Sequence, residues 1–366
     1  MAGEQINVTK PTLPPLQEYL AELADVWHNH WLTNAGPKHQ ALEAALREYL
    51  GAEHLALFAN GHLALEAALQ VLGITGEVIT TPFTFASTAQ AIAHSGATPR
   101  FADVDPVTLC LDPAAIEAAI TPQTEAILPV HVYGNVCDTQ AIAAIAARHH
   151  LPVIYDAAHA FGVQPPVGAM GDISMFSFHA TKVFHTIEGG ALAFHDPALA
   201  DQFKAWRAFG QLGKEDAEMV GTNAKLTEFA AAMGLVNLRH VDEWIAKRRA
   251  LAALYVDGLR GLDGVELLPT APGSSPNYYC FPVFFDPAVR SRDVVADELA
   301  AQGVNARKYF YPLVSRFSAW ADQPFAQAHT PVAEQAAARV LCLPLYPDLA
   351  AAEVERIISI VKGALE

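Results

Sequence analysis

Cysteine and positive charge are both scarce in this chain. Its 366 residues include four cysteines, Cys110, Cys137, Cys280 and Cys342, which lie far apart and form no Cys-x-x-Cys pair. That spacing supports neither a disulfide framework nor a zinc knuckle, and reduced core thiols are expected. Lysine and arginine total 23 against 39 acidic residues, a formal charge of −16. A broadly acidic surface gives no attraction to a nucleic-acid backbone or an anionic membrane, so any anionic ligand must meet locally placed donors.

Long apolar runs are missing too. No segment approaches the roughly eighteen uninterrupted apolar residues of a membrane span, and the start, MAGEQINVTKPTLPP, has no apolar stretch behind a basic one. A cytoplasmic protein is expected. There is no GxGxxG and no P-loop, which removes the usual support for nicotinamide or ATP binding. The histidine pairs His28 and His30, His149 and His150, and His179 and His185 have no carboxylate or cysteine at a recognised ligand spacing, so no metal is expected. Internal repeats and low-complexity tracts are absent.

What remains is a large apolar reservoir: 52% of residues are hydrophobic and 17% charged. At this length the expectation is two packed domains, residues 1–245 with an N-terminal segment and a large domain, and 246–366 as a smaller α/β domain. Short apolar runs alternate with Ala-rich helical stretches between about 50 and 195, the pattern of a mostly parallel sheet covered on both faces. Seven strands are read: His54 to Ala59, Glu77 to Pro82, Pro99 to Val104, Ala126 to Val132, Pro152 to Asp156, Asp172 to Phe178 and Gly190 to His195. Leu63 to Leu72, Pro113 to Ile120 and Thr139 to His149 have helical spacing. After Leu238 a long helix through Leu259 leads to strands near Val265, at Tyr279 to Phe285 and at Val340 to Leu345, and the last helix covers Ala351 to Leu365. The first fifty residues are expected to cross back over both domains.

Three segments carry chemistry. SFHATKVFHTIEGGAL, Ser177 to Leu192, places Lys182 in a glycine-flanked loop just past a strand, and ligands of open α/β sheets gather beyond the carboxyl ends of strands. A desolvated amine there can lose its proton and attack an aldehyde, whereas a solvated surface lysine is the plainer alternative. VIYDAAHAFG ends a strand at Asp156 and leads to His159. The aspartate either pairs with a protonated pyridine nitrogen or caps the next helix. NGHLALEAAL, Asn60 to Leu69, is a glycine turn into a helix, whose first N–H groups at Gly61 and His62 suit a phosphate. Ser177 and Asn223 are further candidate donors, or ordinary turn residues.

With WLTNAGPKHQALEAAL, TPFTFAST, HVYGN, GTNAKLTEFAAAMGL and LCLPLYPDL, these segments make nearly the whole chain resemble the DegT-type sugar aminotransferases. These belong to the aspartate-aminotransferase-like, fold-type I enzymes that use pyridoxal 5'-phosphate and pass through pyridoxamine phosphate. The resemblance implies that Lys182 is the Schiff-base lysine, that Asp156 meets the pyridine nitrogen and that Ser177 binds phosphate. It also implies that Phe85 stacks on the ring, and that Asn223 reaches the phosphate in a neighbouring subunit, which requires a homodimer. The sequence has His62 where the family usually has Thr or Ser, and His159 where Gln is common. His62 retains its backbone N–H, and His159 a ring N–H for the phenolic oxygen.

The implied activity is transfer of an amino group, with L-glutamate as expected donor, to a nucleotide-linked keto sugar, a dTDP- or UDP-linked 4-keto-6-deoxyhexose, for amino-sugar and polysaccharide biosynthesis. His185, Arg307 and Tyr309, with Lys308, Lys225 and Arg207, are candidate substrate contacts; exposed loop charges are the alternative for the cations. Two other readings remain: a pyridoxamine-phosphate-dependent dehydratase, in which histidine replaces the lysine, and a non-catalytic regulator on the same fold.

Overall fold

The computed structural model describes residues 5–213, 215–271 and 273–366. Its strands are β1 (Ile6–Asn7), β2 (His54–Phe58), β3 (Glu77–Thr80), β4 (Thr98–Phe101), β5 (Thr124–Ile127), β6 (Ile154–Asp156), β7 (Ile173–Ser177), β8 (Gly190–Phe194), β9 (Val265–Leu267), β10 (Phe281–Phe285), β11 (Val304–Asn305) and β12 (Val340–Leu343). Strands β2 to β8 each overlap one of the seven apolar runs, but most runs overshoot the strand's carboxyl end, and β4 and β5 begin at Thr98 and Thr124, before the runs read from Pro99 and Ala126. After Ile127 the ladder with β3 stops, since Leu128 still donates to the Ile79 carbonyl at 2.7 Å but Pro129 has no N–H to continue, and the chain goes on only as a bridge from Val130 to Asp156.

The seven strands form one layer. A four-stranded part, β2-β8-β7-β6, and a three-stranded part, β4-β3-β5, are joined by parallel bridges from Ile127 to Val153 and from Val130 to Asp156. Neighbours pair parallel except around β8, which runs against both β2 and β7. Side chains alternate between two cores. Leu55, Leu57, Ile79, Ile127, Tyr155 and Phe176 enter one, whereas Ala56, Phe58, Val78, Ala126, Ile154 and Met175 enter the other. Burial on both faces explains why these runs read as continuously apolar.

The smaller sheet is antiparallel, in order β12-β10-β9. Its core takes Val354, Ile357 and Val361 from the helix Ala351–Leu365, and Val295 and Leu299 from the helix Arg292–Ala301. The chain start contributes here as well, through β1 pairing parallel with β11, while Leu42 and Leu46 of the helix Pro37–Tyr49 lie in the first large-domain core.

The long helix is Glu228–Leu259, 32 residues, and starts ten residues before the expected position. Its opening turns, EFAAAMG, are Ala-rich and show no apolar stripe. They are helical because Thr227 accepts the Ala230 N–H at 3.2 Å and because bare Gly234 lets Leu42 and Thr186 approach; a Cβ there would lie 2.8 Å from each. The helix also changes core along its length. Ala231, Val241 and Ile245 pack with the large sheet, and Leu251, Ala252, Tyr255 and Leu259 with the small one. This change supports our proposal of a division near residue 245, within a continuous helix.

Glu228 fixes how that helix meets its neighbour. Its carboxylate, 1% exposed, accepts the N–H groups of Lys38 at 2.7 Å and His39 at 3.0 Å. It therefore caps the helix Pro37–Tyr49, whose own N-cap, Gly36, has no side chain to offer. Replacing Glu228 with alanine strands two buried donors, so Glu228→Ala is expected to lose about 2 kcal/mol or more. Thermal and urea unfolding measure this, and an unchanged midpoint would refute the capping role.

Candidate active site

The carboxyl ends of β6 and β7 bring the main candidates together. Asp156 is the last residue of β6 and pairs in register with Met175 on β7, which ends two residues later at Ser177. The loop beyond is held in shape by Phe178 N–H to Gly189 carbonyl, 2.8 Å, and Thr186 N–H to Phe178 carbonyl, 3.0 Å. Within it the Lys182 N–H donates to the His179 carbonyl at 2.9 Å. The sheet thus fixes acid and amine relative to each other through two adjacent strands.

Asp156 is 5% exposed and forms no ion pair among the described residues. One oxygen accepts the Thr88 hydroxyl at 2.8 Å and the other the Ala158 N–H at 3.1 Å. Burial raises its carboxyl above the ordinary aspartate value, opposed by those two donors and by the charge of Lys182. Two accepted hydrogen bonds leave lone pairs free for a cationic N–H donor.

Lys182 keeps partial solvent access, yet protein surrounds its amine closely enough that burial lowers its pKa to about 8. Asp156 and Cys280 act in the opposite direction. The ammonium lies 3.4 Å from the Tyr279 hydroxyl and 4.5 Å from the centre of its ring. Tyr279 in turn stacks on His159, with ring centres 4.3 Å apart, and Phe310 lies parallel to His159 at 5.8 Å. The His159 ring takes the Tyr133 N–H on Nδ1 at 3.2 Å, and burial holds its pKa well below the usual histidine value. It is therefore a neutral imidazole with its proton on Nε2, free to donate.

A cluster of backbone donors adjoins this group. The helix Gly61–Val71 opens directly after β2, and Asn60 caps it by accepting the Leu63 N–H at 2.9 Å. The amides of Gly61 and His62 have no acceptor within the helix. The helix start sits tightly on the sheet: a Cβ on Gly61 would be 3.0 Å from Ser177 Cβ, and one on Gly190 would be 2.5 Å from the Gly61 nitrogen. Two absent side chains thereby bring backbone donors beside Ser177. The His62 ring is engaged elsewhere, with Ser87 and Glu66, leaving its amide as the group facing an anion.

Other candidates are placed differently. Phe85 is 57% exposed at the start of the helix Ala86–His94, the helix that also carries Thr88. Asn223 is exposed, and its side-chain oxygen accepts from Lys225 at 2.7 Å. Lys225 also lies 4.7 Å from the Phe209 ring centre. Two expectations need correction. His185 is buried, with its Nε2 2.6 Å from the Thr12 carbonyl, while Asn237 donates to its backbone at 2.8 Å; it ties the N-terminal segment down and is closed to substrate. Arg207 is buried and donates to the Leu57 carbonyl at 2.6 Å, so it supports β2. Lys308 is paired with Asp293 at 2.5 Å. Arg307 is exposed over the Tyr309 ring at 4.9 Å, and the Tyr309 carbonyl accepts from the Tyr133 hydroxyl.

A family model for the DegT/DnrJ/EryC1/StrS aminotransferases matches residues 16–362. The chain belongs to that family. This aminotransferase is 42% identical over 361 residues to a dTDP-4-amino-4,6-dideoxy-D-glucose transaminase of Shigella dysenteriae, covering 98% of each chain. Among solved structures it resembles DesI, determined with its TDP-sugar product, at TM-score 0.94 and 34% identity, covering 99% of this chain and 93% of that one. It also resembles a Streptococcus pneumoniae protein assigned as a sugar aminotransferase, in a PLP form, at TM-score 0.92 and 26% identity over 99% and 98% of the two chains.

Thr88 and Tyr279 are the functional neighbours that sequence reasoning missed. Thr88 lies inside the motif TPFTFAST, but the aspartate it holds is 68 residues away. Tyr279 reads as strand and comes from the far side of the long helix.

The depressed Lys182 pKa is directly measurable in the cofactor-free aminotransferase. Acylation of Lys182, followed by peptide mass, is expected to be half-maximal near pH 8, where an ordinary lysine has 10.5. Asp156→Asn removes a negative charge that favours the ammonium, so the midpoint should fall further. A midpoint at the ordinary value in the unaltered protein would contradict the desolvated site.

Proposed function

We propose that this aminotransferase is pyridoxal-phosphate-dependent and moves an amino group from an amino acid, with L-glutamate as donor, to a dTDP-linked 4-keto-6-deoxyhexose. The observation that carries the reading is the placement, at the ends of two adjacent strands, of a buried carboxylate held by Thr88 and the Ala158 N–H and of an amine whose pKa burial lowers to about 8. The residues fit the cofactor: a glycine-lined cradle of backbone donors for its phosphate, and an acid with spare lone pairs for its ring nitrogen. The PLP form of a structural neighbour supports the cofactor; the sugar named for the Shigella dysenteriae relative supports the acceptor.

When bound, pyridoxal phosphate supplies an electron-withdrawing pyridinium ring that spreads the charge left at carbon when a C–H bond breaks. The chain's residues do the rest. Asp156, held by Thr88, would keep the proton on the ring nitrogen. The Gly61 and His62 amides and the Ser177 hydroxyl would hold the phosphate. Phe85 would stack on the ring, and His159 would offer its Nε2 proton to the phenolic oxygen. Lys182 would anchor the cofactor, and its amine, whose pKa burial lowers to about 8 in the cofactor-free protein, would be the group that takes a proton from the donor's α-carbon and returns one to the sugar carbon. Arg307 and Tyr309, on the loop whose next residue stacks on His159, are the proposed contacts to the nucleotide-sugar. Asn223, exposed at its own subunit's surface, reaches the phosphate site of a second copy, making the active unit a homodimer. Among the described residues no helix is long and apolar enough to cross a membrane, consistent with work on a water-borne nucleotide-sugar.

Lys182→Ala tests the reading. With L-glutamate and a panel of keto nucleotide-sugars, the variant should lose at least roughly 10²- to 10⁴-fold in turnover, while its circular dichroism spectrum stays unchanged. Borohydride treatment of the unaltered protein should leave the cofactor's mass on the Lys182 peptide. Full activity in the variant defeats the mechanism, whereas turnover only with other sugars defeats the proposed acceptor.

A further inference from the structure

His62, Glu66 and His94 converge outside the chemistry just described. His62 and Glu66 are four residues apart on the helix Gly61–Val71, which puts them on one face. His94 is the last residue of the helix Ala86–His94. The His62 Nε2 lies 3.0 Å from Glu66 Oε1, His94 Nδ1 lies 2.9 Å from the same oxygen, and the two ring nitrogens are 3.4 Å apart. Three atoms that each carry a lone pair thus form a triangle.

We propose that this triangle is a site for a divalent transition-metal ion of the zinc class, with water or an external ligand in the remaining position. Zinc binds imidazole nitrogen and carboxylate oxygen at about 2.0–2.2 Å, so the edges of a tetrahedral ligand set run to about 3.3 Å. The observed edges of 2.9–3.4 Å need only a few tenths of an ångström of opening. The two imidazoles can both donate an N–H to Glu66, but the 3.4 Å edge between their ring nitrogens is then left facing N–H to N–H, whereas a cation between the three atoms engages all of them.

The surroundings match such a site. Ser87 Oγ lies 2.9 Å from the His62 Nδ1, the outer-shell contact that orients an imidazole and leaves Nε2 bare for a metal. Exposure of the side chains rises from 13% at Glu66 through 30% at His62 to 61% at His94, giving a held base and an open mouth. Two imidazoles and one carboxylate favour zinc, nickel or copper over calcium and magnesium, which prefer oxygen ligands. Among the described residues the other exposed histidine–glutamate contacts differ: Arg148 already occupies the second oxygen of Glu117 beside His149 at 2.5 Å, and His179–Glu188 and His195–Glu53 are contacts with a single histidine. An ion at the triangle would brace the helix that opens the phosphate cradle against the helix that carries Phe85 and Thr88.

Cobalt(II) is the probe, titrated into untagged, cofactor-loaded protein. One equivalent per chain is expected to give visible absorption bands of tetrahedral intensity, which zinc then abolishes. His94→Ala and Glu66→Gln should each weaken zinc binding at least roughly 100-fold, and Ser87→Ala roughly 10-fold. His149→Ala should bind as the unaltered protein does. The exposure of His94 makes its replacement tolerable to the fold, and circular dichroism checks this. Absence of the bands at one equivalent overturns the proposal, as does zinc affinity that survives both His94→Ala and Glu66→Gln.

Discussion

Desolvation of a small space at the ends of two neighbouring strands governs the protonation of every reactive group in it. The same burial raises the Asp156 carboxyl and lowers the Lys182 and His159 side chains, because in each case the charged form is the one that loses water. Mutual attraction between the aspartate and the lysine opposes both shifts, so each partly holds the other's charge in place. A carboxyl raised above its ordinary value, an amine lowered below its own and a neutral imidazole therefore arise together from one physical condition. Removing the enclosure would return all three toward ordinary surface behaviour.

The large sheet was readable because both its faces are buried. Continuous runs of Val, Ile, Leu and Phe bounded by glycine and proline mark such strands, and β2 to β8 follow them. The ends were less readable: Pro129 and Pro82 have no N–H to donate to a ladder, although their carbonyls still accept. The start of the long helix was missed for a related reason. Its first turns are alanines packed on Leu42 and Thr186, and a partner that lies nearly two hundred residues away leaves no periodic trace in the local sequence.

At the site, the residues that belong to local motifs were legible and those that belong to tertiary contacts were not. Lys182, Asp156 and Ser177 follow strands, and strand ends are visible. Nothing adjacent to Tyr279 shows that its ring will lie between Lys182 and His159, and nothing adjacent to His185 shows that Thr12 will close over it. Charge was a poor guide as well. Arg207 and Lys308 look like free cations in a chain of net charge −16, and the fold engages one with a backbone carbonyl and the other with Asp293.

The cradle at Gly61 is assembled from peptide groups and one hydroxyl, made possible by the missing side chains of Gly61 and Gly190. Peptide N–H groups and hydroxyls do not titrate in the range where a lysine of this kind gains or loses its proton. In the proposed cofactor site these donors would keep their protons as pH falls through about 8, the interval over which the adjacent free amine gains its charge. Holding an anion and exchanging a proton would then answer to different groups.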